Sequence, residues 1–122
     1  MHVLRNMVGA VKPGGLVLDL QVIRPDPVVE SDGVVVCTID GEPLFRTADA
    51  ATAAIDAMVA DGQLIEQAVD DHDVRNHYAN GRELVDDFAD RKRRLRDAKS
   101  VRALEGPCAM RERCRLRRLL VA

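Results

Sequence analysis

The chain has 122 residues, of which 47% are apolar and 31% charged, with a formal net charge of −2. This composition provides enough apolar residues to form a packed core and excludes a wholly disordered chain. No uncharged apolar run approaches the ~20 residues that a membrane-spanning helix needs, and the N-terminal stretch lacks the pattern of a secretory signal. Three cysteines leave one over in any pairing, which favours reduced thiols and predicts a cytoplasmic protein that does not contact a membrane.

The first predicted elements are a helix and a strand joined by a tight turn. Pro13 ends the helix, and Gly14 and Gly15 allow the chain to reverse. Residues 16–23 then alternate with apolar side chains on both faces, which is typical of a strand inside a sheet. The helix is predicted from apolar residues at helical spacing, namely Val3, Leu4, Met7, Val8 and Val11.

The segment that follows predicts a loop and a β-hairpin. Two prolines in residues 24–27 disfavour regular structure and predict the loop. Residues 34–46 predict the hairpin, with Asp40-Gly41 as its turn and 43–46 as a short return strand.

The second half of the chain alternates predicted helices and strands. We expect helices over 48–61 and 80–97, with Asn80 as the cap of the second. A strand is expected over 63–70. The final segment, 112–121, has alternating arginines that suit a strand and leucines that also suit a helix, and periodicity alone does not decide between them.

Charge is divided sharply along the chain. Residues 1–90 contain 17 acidic and 6 basic residues, whereas residues 91–122 contain 3 acidic and 12 basic residues. Such a basic C-terminal segment is typical either of an arm that binds nucleic acid or of a segment that folds against an acidic body. Internal pairing is favoured and nucleic acid is an unfavoured partner, because the three aromatic residues provide no platform for stacking bases.

Residues 3–24 resemble a segment of the class I S-adenosylmethionine-dependent methyltransferases. In that family a helix ending in Lys-Pro-Gly-Gly leads into the fifth strand of a Rossmann-like sheet, and here Lys12, Pro13, Gly14 and Gly15 precede the predicted strand. The resemblance implies an α/β fold, namely the C-terminal half of that sheet with antiparallel last strands. The chain, 1–122, would be a single domain with the 34–46 hairpin inserted. The alternative is an α+β fold.

The resemblance does not extend to the loop with which the family binds its methyl donor. The family binds its methyl donor with a glycine-rich loop that lies earlier in the fold, and no G-x-G-x-x-G sequence occurs in this chain. The implied parent activity is methyl transfer from S-adenosylmethionine to an unidentified acceptor. We expect the chain alone to bind that cofactor weakly or not at all. Because half a sheet leaves an apolar edge and face uncovered, we also expect self-association or completion by another polypeptide.

Candidate catalytic residues come from the cluster Asp70-Asp71-His72-Asp73. His72 is predicted to act as a general base that Asp71 or Asp73 orients, with His72 and Asp73 as the candidate catalytic pair. A metal site is not favoured, because His72 and His77 point to opposite faces of a strand and a metal needs three or four converging ligands. A small metal-dependent enzyme built around these two histidines is the third alternative.

Candidate substrate-binding residues are Asp19, Arg24 and Asp26. A carboxylate within a buried strand, as at Asp19, needs a partner or a ligand. Arg24 and Asp26 follow that strand and would face the ligand crevice of an open α/β sheet. The alternative to an enzyme is a non-enzymatic α+β interaction module whose basic segment, 91–122, binds an acidic partner or nucleic acid.

Overall fold

The computed structural model describes residues 12–122. The helix predicted around residues 3–11 therefore lies outside the described residues. Five strands and three helices are described, in the order β1 (Leu16–Ser31), β2 (Val34–Asp40), α1 (Glu42–Ala60), β3 (Leu64–Tyr78), α2 (Gly81–Asp90), β4 (Arg94–Leu95), α3 (Ala98–Arg102) and β5 (Cys108–Val121). None of these helices combines the length and apolar character needed to cross a membrane.

The strands form one antiparallel sheet in the order β3-β5-β1-β2-β4. The predicted α/β fold, a partial Rossmann-like methyltransferase sheet, is therefore wrong, because such a sheet is built mainly of parallel strands. The local pattern of residues 16–23 predicted a strand correctly but contained no information on the direction of its neighbours. An antiparallel sheet accompanied by helices is instead an α+β arrangement.

A tight hairpin joins β1 to β2. Asp32 and Gly33 both have positive φ, at 52° and 75°, and Ser31 pairs with Val34 across the turn. This is the backbone of a type I′ turn, for which Asp-Gly is a preferred sequence.

The predicted 34–46 hairpin is wrong, because its second arm is helical. The carboxylate Oδ1 of Asp40 accepts a hydrogen bond from the backbone N–H of Glu42 at 3.1 Å, and α1 begins there. Pro43 is tolerated at this point because the first N–H groups of a helix have no partner within the helix. The Asp-Gly pair at 40–41 thus starts a helix instead of turning a strand.

The predicted loop at residues 24–27 is also wrong, because β1 continues through it to Ser31. The pairing of β2 with β1 is registered from Val28 to Ser31, beyond both prolines. A proline lacks an N–H donor, so a strand tolerates it where no neighbouring strand needs that donor.

The chain divides into two compact units, and β1, β3 and β5 each contribute residues to both. The first unit comprises the described part of Met1–Ile23 together with Leu44–His72 and Cys114–Ala122. Its core is formed by α1 and the three strands. The buried residues in this core are Val17, Ile55, Met58, Leu64, Leu119 and Val121. Gly62 follows the end of α1 with a left-handed φ of 76°, a conformation that glycine adopts readily after a helix.

The second unit comprises Arg24–Pro43 and Asp73–Arg113. The predicted cap of α2 is confirmed, since Oδ1 of Asn80 accepts a hydrogen bond from the N–H of Glu83 at 2.9 Å. The helix stops at Asp90 instead of 97, because Lys92 adopts a left-handed φ of 56°. The core of this unit contains Val29, Cys37, Ile39, Leu84, Val85, Phe88, Val101, Cys108 and Met110.

Candidate functional site

The predicted catalytic pair does not form a dyad. Nδ1 of His72 lies 3.1 Å from Oδ2 of Asp70, in a geometry that makes no hydrogen bond. Asp73 follows on β3, where successive side chains point to opposite faces. Its carboxylate is bound by arginine, with Oδ1 3.3 Å from Nη1 of Arg113 and Oδ2 3.9 Å from Nη1 of Arg111. Asp73 therefore contributes to ion pairing on its strand.

Asp26, predicted to contact substrate, holds a segment of the second unit in place. Its Oδ1 accepts a hydrogen bond from the N–H of Gly41 at 3.1 Å, and its Oδ2 accepts one from Nη1 of Arg96 at 2.6 Å. These bonds hold the pKa of Asp26 below its usual value, with the Arg96 bond as the largest cause. Arg24 likewise lies 3.4 Å from the carboxylate of Glu42. Both predicted substrate residues thus contact groups of their own chain.

Asp19 is the predicted site residue whose carboxylate is incompletely bonded. Its Oδ1 accepts a hydrogen bond from Nε2 of Gln21 at 2.7 Å. Its Oδ2 is buried and has no hydrogen-bond partner among the described residues. A buried carboxylate oxygen without a donor is costly, so Asp19 marks a position where a further donor would stabilise the fold.

Two arginines of β5, Arg115 and Arg117, pair with acids of the first unit. Arg115 makes a two-pronged contact with Asp71, from Nε at 2.8 Å and Nη2 at 2.9 Å. Arg117, only 7% exposed, donates from Nε to Glu66 at 2.7 Å and from Nη1 to Asp56 at 2.8 Å. Burial lowers the pKa of Arg117, but the bonds to Glu66 and Asp56 outweigh it and the net shift is upward.

The second unit continues this pattern. The carboxylate of Glu30 accepts two hydrogen bonds, one at Oε1 from Nε of Arg75 at 3.0 Å and one at Oε2 from Nε of Arg111 at 3.2 Å. These bonds lower the pKa of Glu30, with the Arg75 bond as the largest cause. Arg93 contacts Glu112 at 3.4 Å and lies over the ring of Phe88, 5.5 Å from its centroid. Much of the basic C-terminal segment is therefore paired within its own unit.

Two of the cavities bordered by described residues of the second unit lie at the end of β3. One, of about 460 Å³, is lined by residues that include Arg75, His77, Tyr78, Asp87 and Arg91. In it the phenol of Tyr78 donates to Oδ2 of Asp87 at 2.6 Å, and Nε of Arg91 lies 3.3 Å from the same oxygen. Burial, followed by the bond to Asp87, raises the pKa of Tyr78 to about 12, so the phenol is protonated at neutral pH and serves as a donor.

The second of these cavities, of about 400 Å³, lies beside Glu30, Arg75 and Cys108. Burial raises the pKa of the Cys108 thiol, which opposes formation of the nucleophilic thiolate. Cys37, Cys108 and Cys114 are all buried thiols, and none of them forms a disulfide. Within residues 12–122, no group of three or more histidine, cysteine or acidic residues is arranged to hold a metal ion.

The first unit exposes an apolar face that its own core does not use. Val17 is buried against α1, and the residues that alternate with it point away from that helix. Leu16, Leu18 and Leu20 are 47%, 63% and 55% exposed. We call these three side chains the leucine face of β1. Large apolar side chains clustered on an exposed strand are typical of an interaction surface.

The same residues of β1 border an unpaired edge. On one side β5 is the neighbouring strand, with the N–H of Val121 bonded to the carbonyl of Gly15 at 2.9 Å. On the other side the neighbour is β2, whose register covers only Val28–Ser31. Within residues 12–122, the far edge of residues 16–23 therefore has no strand beside it, and we call it the open edge.

Comparison with models of protein families, with curated proteins and with solved structures finds no match to this chain. Its site must therefore be interpreted from its own residues. The sequence analysis expected an uncovered apolar edge only as a consequence of half a parallel sheet, which is absent, and it did not locate the leucine face or the open edge. The pairing of four β5 arginines with particular acids was missed, because the alternation of arginines indicates a strand but not its neighbour.

Proposed function

We propose that this chain is a non-catalytic interaction module that binds another polypeptide through the open edge and leucine face of β1. The observation that carries the proposal is the coincidence of three exposed leucines with an edge that no other described strand pairs, over the same residues, 16–23. An extended segment that adds to such an edge gains backbone hydrogen bonds, and its alternate side chains cover the neighbouring face. The cost of leaving a long apolar edge in water favours an occupant.

The basic segment, which was the other candidate surface, is a weaker basis for binding. Arg111, Arg113, Arg115 and Arg117 all contact carboxylates within their own units. An acidic partner or a nucleic acid would have to displace these internal partners before it gained any new ion pair. The charge of residues 91–122 therefore supports internal pairing in preference to an external ligand.

Methyl transfer is not part of the proposal. That interpretation depended on the C-terminal half of a parallel, Rossmann-like sheet, and this sheet is antiparallel. The residues expected to serve it, Asp26 and Asp73, are bound to arginines of the chain. A cytoplasmic location remains part of the proposal, supported by three buried thiols that form no disulfide.

A short labelled peptide tests strand addition directly. The probe is a fluorescein-labelled peptide in which leucine and threonine alternate over eight positions between terminal lysines. We expect saturable binding by fluorescence anisotropy as the chain is titrated into the peptide. A matched peptide with every second backbone nitrogen methylated retains its apolar side chains but loses the donors that pair with an edge, so we expect it not to bind.

Two substitutions locate the binding surface. Leu18→Lys, on the leucine face, should weaken binding by about tenfold or more, which corresponds to ~1.4 kcal/mol. Leu44→Lys changes a leucine that is 41% exposed on α1, away from this face, and should leave binding unchanged. Equal binding of the two peptides, or no binding of either by a chain whose edge is not already paired with a second copy, would overturn the proposal.

A further inference from the structure

We infer that the occupant of the open edge is a second copy of this chain, whose residues 17–23 pair antiparallel with the same residues of the first. This inference rests on the proposed function and adds to it the identity of the partner and the register. It depends on the order of side chains along the edge, which is complementary to itself in one register.

The matching register places Leu20 opposite the partner's Leu20, on the two-fold axis. On the same face, Leu18 then lies opposite the partner's Val22, so every pair is apolar. On the other face, Val17 lies opposite the partner's Ile23, again an apolar pair. Directly opposed apolar residues are the stabilising unit of an antiparallel pair of strands.

The remaining pair in this register brings together complementary polar groups. Asp19 lies opposite the partner's Gln21, so a carboxylate faces an amide that has two N–H donors. One donor of Gln21 is already bonded to Oδ1 of the Asp19 in its own chain. The second is then available to the carboxylate of the partner's Asp19 across the pair.

Registers displaced by two or four residues lose this match. With the axis at Asp19, two carboxylates face each other, which is destabilising. With the axis at Leu18, the carboxylate of Asp19 faces the apolar Val17. With the axis at Gln21, Asp19 faces Ile23. Only the Leu20 register pairs apolar with apolar residues and the acid with an amide.

Two-fold pairing also closes the open edge. Each copy contributes the same residues and receives the same residues, so the contact is isologous and ends at two chains. A contact between different edges would leave a free edge on each copy and would allow continued growth. We therefore expect a dimer in place of a filament.

Light scattering coupled to size-exclusion chromatography measures the association. We expect the wild-type chain to run as a dimer, at twice its 13.4 kDa mass. Gln21→Glu places two carboxylates opposite each other and should weaken dimerisation by at least about tenfold, while Asp19→Asn in the same chain should restore it. Circular dichroism verifies that each variant is folded.

Disulfide trapping tests the register. Leu20→Cys should form an intermolecular disulfide on mild oxidation, because directly opposed residues in a strand pair bring their Cβ atoms within about 4.5–5.5 Å. Leu18→Cys, on the same face and similarly exposed, should not. The wild-type chain serves as a control, because its three cysteines are buried.

Each outcome bears on the inference. A monomeric chain that still binds the alternating peptide would overturn the inference and leave the proposed function standing, whereas a monomer that binds neither would end both. Trapping through Leu18→Cys instead of Leu20→Cys would disprove the register. A dimer that survives both Gln21→Glu and Leu20→Lys would show that the copies associate elsewhere, which also overturns the inference.

Discussion

Gly81, the first residue of α2, lies against the backbone of α3. A Cβ atom added to it would lie 1.6 Å from the carbonyl oxygen of Val101 and 2.7 Å from the carbonyl carbon. The N–H of Gly81 also donates to the carbonyl of Leu104 at 2.9 Å. Backbone atoms on both sides cannot move aside as a flexible side chain would, so this position requires glycine.

Gly81→Ala should lower the free energy of unfolding by about 3 kcal/mol, because the methyl group forces two backbone segments apart. Helix propensity alone would predict the opposite sign, since alanine is the better helix former. Urea unfolding followed by circular dichroism measures the change. Gly106→Ala is the control, because a Cβ there meets no atom within 4 Å; equal effects of the two substitutions would contradict the close approach at Gly81.

Tyr78 provides a spectroscopic report on its own surroundings, because it is the only tyrosine and the chain contains no tryptophan. Burial and the bond to Asp87 raise its pKa to about 12, whereas an unfolded tyrosine ionises near pH ~10. The native state therefore retains the proton longer than the unfolded state does. This contribution to stability is complete below pH ~10 and is lost as the pH rises towards the native pKa.

Absorbance at 295 nm should show Tyr78 ionising with a midpoint of about 12 in the folded chain and close to ~10 in denaturant. Asp87→Asn removes the negative acceptor and should lower the native midpoint only in part, since burial is the larger cause. Circular dichroism on the same samples separates ionisation from unfolding. A folded-state midpoint equal to that in denaturant would contradict the described setting of the phenol.

At the scale of elements, β5 is held by ion pairs as well as by its backbone. Arg117 illustrates this best, because a guanidinium that is 7% exposed contacts Asp56 of α1 and Glu66 of β3. Its two carboxylates are less buried, with 59% and 35% of their side chains exposed. Water can therefore solvate the acids if the arginine is removed, which limits the cost below that of a fully buried pair.

Arg117→Met should lower the free energy of unfolding by about 1–2 kcal/mol, because the apolar stem is retained while the acids lose their shared cation. Arg118→Met, at the exposed neighbouring position on the opposite face, should change it by less than about 0.5 kcal/mol. Thermal or urea unfolding of both variants at low and high salt provides the comparison. If the two variants lost stability equally, the described pairing of Arg117 would be wrong.

The two Asp-Gly pairs show how far an element can be derived from local sequence. The turn at Asp32-Gly33 and the helix start after Asp40-Gly41 share the same dipeptide, and the dipeptide alone predicts a hairpin at both. The two pairs adopt different structures because residues 42–60, which follow the second pair, form a long amphipathic helix. An aspartate caps such a helix as readily as it occupies a turn position. The cap at Asn80 was predictable because its partner Glu83 lies only three residues away.

At the scale of the whole molecule, the direction and order of the strands could not be derived from local patterns. The alternation in residues 16–23 predicted a strand, but its antiparallel neighbours are supplied by residues that are distant in sequence. The charge asymmetry of the sequence indicated long-range contacts that the strand pattern did not. Pairing of the basic end with an acidic body was one of its two interpretations, and the contacts of Arg111 with Glu30 and of Arg115 with Asp71 follow it.

The position of β5 in the sheet affects how the chain is completed during its synthesis. Although β5 is translated after the other strands, it lies between β3 and β1. At about 5–20 residues per second, the ribosome takes roughly 4–15 s to advance from Ser31 to Cys108. β1 waits for β5 through this whole interval, whereas β3 waits only from its own synthesis onward, so each is a candidate for transient chaperone contact. The edges of β1 and β3 that face β5 can therefore be paired only after residues 108–121 have left the exit tunnel.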